Sequence, residues 1–267
     1  MRTFLANIAV LRRMVIPLLA RFGDRDLTIK HAYTHDSLVI NAFRHKGYWW
    51  HGRNRERKTM ESFARTITAG ETIIEIGGHI GYLSVFFARL AGPDGHVFVF
   101  EPGENNLPYL HKNVAQKKNI RVIDKAASDQ DGDITFYVEN LSGQNNTMRQ
   151  DFPGLEANRA LAFVPVSYVS RKVSATTIDT FVANAGVRPT FIKIDVEGGE
   201  LCVLRGALWT LQTFAPRLMV EVNMDFAEVA SLLTQSGYQI FDDSLRELQF
   251  DIREPGNYFC FPRASVK

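Results

Sequence analysis

Hydrophobic positions in residues 58–123 alternate between two kinds of segment. Some are spaced as on one face of a helix, whereas others form short continuous runs rich in Ile, Val and Phe, as in buried strands. The helical segments are residues 58–67, 82–90 and 105–117, and the continuous runs are residues 71–76, 96–100 and 120–123. A glycine-rich turn at residues 77–81 joins the first run to the helix after it. This order predicts a βαβ unit with parallel strands and a right-handed crossover.

The same alternation continues towards the C-terminus after one interruption. An additional strand at residues 134–138, a polar loop at 139–150 and extended segments near 162–169 form this interruption. The later elements are helices at 178–184, 201–213 and 226–235 and strands at 190–195, 217–222, 238–241 and 257–261. Such alternation is typical of an open, mostly parallel sheet with helices on both faces. We therefore predict an α/β fold with a β insertion after its third strand.

Hydrophobic residues near the N-terminus also recur at helical spacing, but basic residues are interspersed among them. The hydrophobic positions are Phe4, Leu5, Ile8, Leu11, Val15, Leu18 and Leu19, and the basic ones are Arg2, Arg12 and Arg13. The longest apolar run, residues 14–20, contains Pro17 and is shorter than the roughly 18 to 20 residues that cross a bilayer. Arg12 and Arg13 also divide the apolar region that a signal peptide needs. We predict an amphipathic helix that packs against the body or a partner subunit, with attachment to a membrane surface as the alternative.

Charge divides the chain into a basic N-terminal part and an acidic remainder. Residues 1–60 contain 12 Lys and Arg against 4 Asp and Glu, the remainder contains 19 against 25, and the whole chain has a net charge of +2. We predict a basic N-terminal extension over residues 1–57 and a catalytic domain over residues 58–267. A positive extension favours contact with an anionic acceptor or an anionic membrane surface.

The composition is that of a folded globular chain. With 45% hydrophobic and 22% charged residues, it excludes a collagen-like or disordered protein. Cys202 and Cys260 are the two cysteines, both lie in apolar segments, and we predict that they are buried in a protein of a reducing compartment. We therefore predict a cytoplasmic location, with the inner membrane surface as the alternative.

The turn after the first predicted strand carries the strongest chemical signal. Glu75 ends that strand, Gly77, Gly78 and Gly81 follow it, and Glu101 ends the next strand. In an open parallel sheet this turn lies beside the ligand. The glycine spacing does not match the one that binds a dinucleotide pyrophosphate, which disfavours a nicotinamide or flavin cofactor. The pattern suits an adenosine that carries a charged amino acid, with one carboxylate for the cationic group and the other for the ribose hydroxyls. The alternative is a tight turn with two solvent-facing charges.

Three stretches resemble the FkbM family of S-adenosylmethionine-dependent methyltransferases. They are residues 75–82, residues 100–103, and residues 191–200 followed by Leu204-Arg205-Gly206-Ala207. The resemblance implies a class I, Rossmann-like fold with a mostly parallel seven-stranded sheet, and S-adenosylmethionine as cofactor. The cofactor-binding residues that it implies are Glu75, Gly77, Gly78, His79, Gly81, Tyr82, Glu101, Pro102 and Asn106.

The chain departs from the family pattern at three positions of the glycine-rich turn. The family usually has Asp in place of Glu75, Ala in place of Gly78 and Asn in place of His79. Glu keeps the carboxylate, and His, like Asn, tolerates a positive φ better than most residues. Cofactor binding is therefore expected to survive, and His79 has either a loop role or a contact with the substrate.

Carboxylates at the ends of the later strands are the candidates for catalysis. Asp195 ends the strand beside the cofactor strand, Glu197 follows it, and Glu221 ends the next strand together with Asn223. We predict that Asp195 or Glu197 orients and deprotonates an acceptor hydroxyl, with Glu221 and Asn223 shaping the site. A divalent metal such as Mg²⁺ held by these carboxylates is an alternative.

The sequence also suggests roles for neighbouring polar residues. Glu200 is expected to cap the helix that it begins. Lys193 lies in the middle of a strand and is expected to pair with a buried carboxylate, either Glu75 or Glu221. The loop at residues 144–147 either covers the acceptor or is a surface loop.

The leading hypothesis is an O-methyltransferase, and the resemblance implies acceptors such as sugars, glycolipids, polysaccharides or secondary metabolites. One alternative is a nucleic-acid methyltransferase, because the basic extension contains Trp and Arg residues that could stack on bases. The acidic body argues against nucleic acid as a partner. The other alternative is a protein that binds the cofactor without transferring a methyl group. Self-association is left open.

Overall fold

A computed structural model describes residues 21, 23–155, 165–248 and 252–263. In chain order the strands are β1 (Asp26–Lys30), β2 (Ser37–Asn41), β3 (Thr72–Ile76), β4 (His96–Phe100), β5 (Ile120–Ile123), β6 (Ala126–Ala127), β7 (Gly132–Glu139), β8 (Tyr168–Thr176), β9 (Phe191–Ile194), β10 (Arg217–Val222), β11 (Tyr238–Phe241) and β12 (Gly256–Pro262). The α-helices are α1 (Lys46–His51), α2 (Arg57–Thr66), α3 (Tyr82–Ala91), α4 (Leu107–Val114), α5 (Ile178–Ala185), α6 (Glu200–Arg205), α7 (Leu208–Phe214) and α8 (Phe226–Gln235).

The central sheet has seven strands in the order β11-β12-β10-β9-β3-β4-β5. The neighbours from β10 to β5 are parallel, whereas β12 is antiparallel to both β10 and β11. Strands β3, β4 and β9 are almost continuously buried, as expected for parallel strands covered on both faces. The predicted Rossmann-like α/β fold with a mostly parallel seven-stranded sheet is confirmed.

Two hydrophobic clusters cover the two faces of this sheet. On one face, Phe63 of α2 packs edge to face against Phe87 of α3, with ring centroids 4.9 Å apart, and also against Phe191 and Phe259. Complete burial of one such side chain contributes about 1.5 to 3 kcal/mol to folding. The aromatic contacts therefore fix α2 and α3 on the strands whose carboxyl ends carry the candidate site.

The N-terminal hairpin β1–β2 and helix α1 belong to the same core. Leu38, Ile40 and Tyr48 are buried in the cluster that contains Phe63. The side chain of Asn113 in α4 accepts from the backbone N–H of Val39 at 2.7 Å and donates to the Val39 carbonyl at 3.0 Å. The hydrophobic core therefore continues across the boundary that the sequence predicts between residues 57 and 58. The predicted amphipathic helix, which was argued from positions 2–19, lies outside the described residues.

A second sheet, in the order β6-β8-β7, follows β5 at the position of the predicted β insertion. Strand β8 begins at Tyr168, so the extended segment predicted near residues 162–169 lies partly outside the described residues. The predicted helix 201–213 is divided into α6 and α7 at Gly206. A Cβ atom at this glycine would lie 2.0 Å from the Ser128 carbonyl oxygen, so the helix end and the loop after β6 approach too closely for a side chain.

Two further findings concern the cysteines and the length of the helices. Cys260 is buried as predicted, whereas Cys202 is only partly buried, and both are free thiols. No helix within the described ranges has the length and apolar character needed to cross a membrane.

Candidate active site

A cleft of about 340 Å³ opens beyond the carboxyl ends of the parallel strands. Its volume lies within the roughly 300 to 1,000 Å³ that is typical of sites for small molecules. Of the predicted site residues, those that line the cleft are Glu75, Gly77, Gly78, His79, Tyr82, Glu101, Pro102, Asn106, Asp195, Glu197 and Glu221. The fold thus brings residues of β3, β10 and α3 together with residues of the loops that follow β3, β4 and β9.

The glycine-rich turn has a conformation that requires glycine at two positions. Gly77 has a φ of +85°, and a Cβ atom there would lie 1.8 Å from the carbonyl oxygen of Asp195. Gly81 also has a φ of +85° and, instead of lining the cleft, forms the N-cap of α3. His79 adopts a φ of +48°, which histidine tolerates. The turn therefore carries the chain from β3 to α3 while its backbone stays close to the cleft.

Glu101 is held at the end of β4 by three donors. Its carboxylate accepts from the backbone N–H groups of His79 at 2.7 Å and Gly103 at 2.8 Å, and from Nδ2 of Asn106 at 3.1 Å. Burial raises the pKa of Glu101 to about 7, although these hydrogen bonds act in the opposite direction. The three donors fix the orientation of this carboxylate at the wall of the cleft.

Glu75 lies opposite Lys193 in the register of β3 and β9. Its side chain is buried, and its Oε2 atom has no hydrogen-bond partner among the described residues. Burial raises the pKa of Glu75 to about 7, and the charge of Lys193 acts against this shift. Glu75 therefore presents an unpaired carboxylate oxygen at the cleft.

Lys193 forms its ion pair with Asp195 and with neither of the two carboxylates predicted from the sequence. Its Nζ atom lies 3.0 Å from Oδ2 of Asp195 and donates to the Gly77 carbonyl at 2.8 Å. The prediction that Lys193 pairs with Glu75 or Glu221 is therefore wrong for the direct contact. Asp195 follows β9, and the short connection between the two residues lets its side chain reach back to the ammonium.

The three candidate catalytic carboxylates have different protonation behaviour. Burial opposes ionisation of Asp195, but Lys193 and a hydrogen bond with Glu221 outweigh it and lower the pKa of Asp195. The charge of Asp195, together with burial, raises the pKa of Glu221 well above its ordinary value. Burial and the charges of Asp195 and Glu200 raise the pKa of Glu197 in the same way. Asp195 is therefore the most readily ionised of the three, whereas Glu197 and Glu221 hold their protons to a higher pH than an ordinary glutamate does.

The geometry does not support the Mg²⁺ alternative. Within the described part of the chain, no three His, Cys, Asp or Glu side chains are arranged so that they could hold a metal ion.

His79 connects the N-terminal segment with the β insertion. Its Nε2 atom lies 3.0 Å from the Ser142 carbonyl oxygen, and its Nδ1 atom lies 2.9 Å from the hydroxyl of Tyr48. A carbonyl can only accept, so Nε2 carries the proton and Nδ1 accepts from Tyr48. Burial lowers the pKa of His79 to about 4, which keeps the ring neutral. Both ring nitrogens are thus bonded within the protein, which favours the loop role over a contact with the substrate.

The loop after β7 covers part of the cleft. Asn106 donates to the Gly143 carbonyl at 3.0 Å, and Thr147 donates from Oγ1 to the Glu197 carbonyl at 2.6 Å. Residues 143–146 and Met148 line the cleft. Of the two roles predicted for residues 144–147, the structure favours a cover over the cleft.

Glu197 and Glu200 differ in their relation to the cleft. Glu197 lines it with a φ of +53°, and its Oε2 atom lies 3.4 Å from Nδ2 of Asn223. Glu200 begins α6, but its carboxylate accepts from the backbone N–H of Gly198 at 2.8 Å, which lies before the N-cap residue Gly199, so it does not cap the helix as predicted. Its pKa is raised to about 7, with burial as the main cause.

Tyr48 and Arg55 also line the cleft, from the N-terminal segment, although the sequence pattern did not single them out. The ring of Tyr48 lies beside Tyr82, with centroids 4.9 Å apart, and the guanidinium of Arg55 lies 4.3 Å from the Tyr48 ring centroid. Neither residue belongs to a recognisable motif. The cluster Tyr48-Trp49-Trp50 and the Arg residues after it was the available signal, and it suggested contacts with nucleic acid instead.

Comparison with known proteins identifies the family. The family model described as the methyltransferase FkbM domain matches residues 75–240. The chain belongs to this family of methyltransferases. This confirms the resemblance, and the matched region begins in β3 and ends in β11. The N-terminal hairpin, α1 and α2 therefore lie outside it.

Individual relatives are distant in sequence. Methyltransferase 1 of Beauveria bassiana (strain ARSEF 2860) is 22% identical over 182 residues, which are 63% of this chain and 72% of that protein. The crystal structure of the methyltransferase FkbM from Methylobacillus flagellatus KT has a TM-score of 0.48 at 16% identity and covers 76% of this chain. The match spans 50% of that chain, so the present chain corresponds to half of it. A SAM-dependent O-methyltransferase from Thermotoga maritima has a TM-score of 0.45 at 10% identity, over 92% of this chain and 88% of that one.

Proposed function

We propose that this methyltransferase transfers the methyl group of S-adenosylmethionine to a hydroxyl oxygen of a sugar, glycolipid, polysaccharide or secondary metabolite. The observation that carries the proposal is the placement of Asp195 and Glu197 in the same cleft as Glu75 and Glu101. Glu75 and Glu101 suit the cofactor, whereas Asp195 and Glu197 suit an acceptor hydroxyl. Membership of the FkbM family supports the same reaction class.

The cleft fits S-adenosylmethionine in its donor set. The unpaired Oε2 atom of Glu75 suits an ammonium group, and the oriented carboxylate of Glu101 suits two ribose hydroxyls. Oδ1 of Asn106, also buried without a partner among the described residues, offers a further acceptor. When bound, the cofactor supplies an electrophilic methyl group on a sulfonium.

In this proposal Glu197 removes the acceptor proton. Asp195 is a weak base because its pKa is lowered, so its fixed charge is better suited to orienting the hydroxyl. The pKa of Glu197 is raised, which makes its ionised form the stronger proton acceptor. A positive charge bound in the cleft favours that ionised form. The proton of the hydroxyl then passes to the Glu197 carboxylate.

The loop after β7 excludes water in this scheme. Its contacts with Asn106, His79 and Glu197 connect the cofactor side of the cleft with the acceptor side. A closed cleft strengthens the charge interactions of the carboxylates and protects the methyl donor from hydrolysis.

Neither alternative function is favoured by an observation at the site. Residues 61–267 contain 19 Lys and Arg against 25 Asp and Glu, and this acidic balance disfavours a polyanion such as nucleic acid as acceptor. A protein that only bound the cofactor would not need the second set of carboxylates.

Turnover of S-adenosylmethionine to S-adenosylhomocysteine should be measured over nucleotide sugars, polysaccharides, glycolipids, small hydroxylated metabolites and RNA. We expect turnover with a hydroxylated non-nucleic acceptor. Glu101→Gln should weaken cofactor binding in calorimetry by about tenfold or more, whereas Glu104→Gln, which changes an exposed carboxylate nearby, should not. Turnover with RNA alone would replace the proposal, and unchanged binding by Glu101→Gln would remove the ribose assignment.

The location and the role of the basic N-terminus are also proposals. We propose a cytoplasmic enzyme in which the positive residues before Lys58 bring it to an anionic acceptor or membrane surface. Deletion of residues 1–23 should then reduce activity on a lipid-linked or polymeric acceptor more than on a small one. Equal activity on both would assign the segment a packing role.

A further inference from the structure

Arg55 is a partly buried cation of the cleft whose charge is incompletely compensated by the protein. Its side chain is 21% exposed, and Nη2 lies 3.2 Å from Oε1 of Glu56, which is itself 42% exposed. Ion pairs with a half-exposed partner are weak, whereas burial of a guanidinium is costly. A guanidinium has five N–H donors in a planar fork, so one such contact leaves capacity for a second anion.

The surrounding residues hold this guanidinium in place. The Tyr48 ring supports its face, with Cζ 4.3 Å from the ring centroid. The Tyr48 hydroxyl is fixed in turn by His79. Gly47 leaves the space that Arg55 needs, because a Cβ atom at Gly47 would lie 2.8 Å from Nη1. A preorganised fork of this kind suits bidentate recognition of a carboxylate.

The position of Arg55 in the cleft indicates which part of the ligand it faces. Arg55 packs on the ring of Tyr48, and Tyr48 in turn contacts His79 and Tyr82, the residues that follow the glycines of the turn. Glu101, the candidate partner of the ribose, stands at the end of another strand, β4. Arg55 therefore lies on the side of the cleft where the glycine turn and Glu75 suit an amino-acid group.

We propose that Arg55 binds the α-carboxylate of the methionine moiety of S-adenosylmethionine, opposite the ammonium site at Glu75. This inference rests on the proposed function and adds a ligand-binding group to it. A zwitterionic amino-acid group is then recognised by one cation and one anion of the protein. Arg55 and Tyr48 lie outside residues 75–240, so this site comes from the chain's own N-terminal segment and not from the matched family domain.

The test removes the carboxylate from the ligand and the guanidinium from the protein. Binding of S-adenosylmethionine and of its decarboxylated analogue is measured by calorimetry for the wild type, Arg55→Met and Arg55→Lys. Arg57→Met is the matched control, because Arg57 is 63% exposed and pairs with Glu61 on the surface of α2. Thermal unfolding of each variant establishes that it is folded.

We expect the wild type and Arg57→Met to bind S-adenosylmethionine about 10- to 100-fold more tightly than the decarboxylated analogue, the range of a charge-assisted hydrogen bond. Arg55→Met should lose this preference and bind both ligands alike, and Arg55→Lys should retain part of it. Equal binding of the two ligands by the wild type would overturn the site at Arg55 but would leave the proposed function intact. This comparison does not require any variant to fold. A preference that survives Arg55→Met would likewise overturn the site. If neither ligand binds the wild type, the proposed function and this site both fail.

Discussion

The ammonium of Lys193 lies 3.0 Å from Oδ2 of Asp195 and is the central cation among the carboxylates of the cleft. Its charge also acts on Glu75, Glu197 and Glu221, which stand on different segments. One buried side chain thus acts on both the cofactor side and the acceptor side, in opposition to the larger effects of burial and of Asp195. The protein keeps this charge at the cost of desolvating a lysine that is 1% exposed.

Replacing Lys193 by Met should destabilise the protein strongly. The change leaves Asp195 and Glu75 without their cation, and loss of one partner of a buried pair typically costs about 3 to 5 kcal/mol. The free energy of unfolding, measured by urea denaturation, should fall by about this amount. Arg171→Met is the control, because Arg171 pairs with Glu104 at the surface and should contribute less than about 1 kcal/mol. Equal losses in both variants would contradict the central role of Lys193.

The stability of a Glu75→Gln variant relative to the wild type should depend on pH. The folded protein holds the proton of Glu75 more tightly than the unfolded chain, since the pKa is raised from 4.5 to about 7. The contribution of this group to stability is therefore fully present below about pH 4.5 and decreases as the pH rises towards 7. Glutamine does not titrate, so Glu75→Gln should gain stability relative to the wild type between pH 5 and pH 8. Urea denaturation across this range measures the difference.

The comparison with the variant is necessary because buried histidines act in the opposite direction. The pKa values of His31 and His79 are both lowered from 6.5 to about 4 by burial. Their contribution to stability increases with pH between about 4 and 6.5 and offsets that of the carboxyl groups in the wild-type profile. A pH-independent difference between Glu75→Gln and the wild type would show that the pKa of Glu75 is not raised.

The contact between Tyr48 and His79 should matter for stability although 31 residues separate them. Tyr48→Phe leaves the ring under Arg55 but removes the hydroxyl that donates to Nδ1 of a buried histidine. We expect a loss of about 1 to 2 kcal/mol in the free energy of unfolding. Tyr33→Phe removes a hydroxyl that donates to the Arg53 carbonyl at an exposed site and should cost less. If Tyr33→Phe costs as much as Tyr48→Phe, the Tyr48 hydroxyl has no special importance.

The sequence predicted the elements whose pattern is local. The bounds of β3, α3 and β4 lie close to those of the predicted segments. These elements are buried within or against the sheet, and that burial is visible in the sequence as a regular pattern of hydrophobic residues. The turn at Gly77 and the strand-end carboxylates Glu75 and Glu101 were found for the same reason.

The features that the sequence did not reveal depend on contacts between distant segments. Strand β1 is short and alternately exposed, and β2 contributes only the three apolar residues 38–40, so the pattern of the hairpin resembled a polar extension. The pairing of Lys193 with Asp195 depends on side-chain directions at a strand end, which spacing does not specify. Tyr48 and Arg55 reach the cleft only because α1 packs beside the glycine-rich turn.

The cover over the cleft should be sensitive to Gly143. This residue has a φ of +74°, and a Cβ atom there would lie 2.1 Å from Oδ1 of Asn106. Gly143→Ala should displace the loop after β7 and weaken binding of S-adenosylmethionine, which calorimetry can measure. Gly186→Ala is the matched control: Gly186 has a φ of +64° with open space around it, so it should cost roughly 1 kcal/mol of stability without affecting binding. Unchanged affinity in Gly143→Ala would mean that the loop does not cover the cofactor.

Glu197→Gln should separate proton transfer from binding. The amide keeps the shape of the side chain and its position near Asn223 but cannot accept the acceptor proton. On an identified acceptor we expect kcat to fall by about 10² to 10⁴, with a much smaller change in cofactor affinity. Glu228→Gln alters an exposed carboxylate of α8 and should leave both quantities unchanged. If Glu197→Gln keeps the wild-type kcat while kcat falls strongly in Asp195→Asn, the base is Asp195 and not Glu197. In that case Asp195 would have to act as a base despite the adjacent ammonium of Lys193, which favours its ionised form and makes it the poorer proton acceptor.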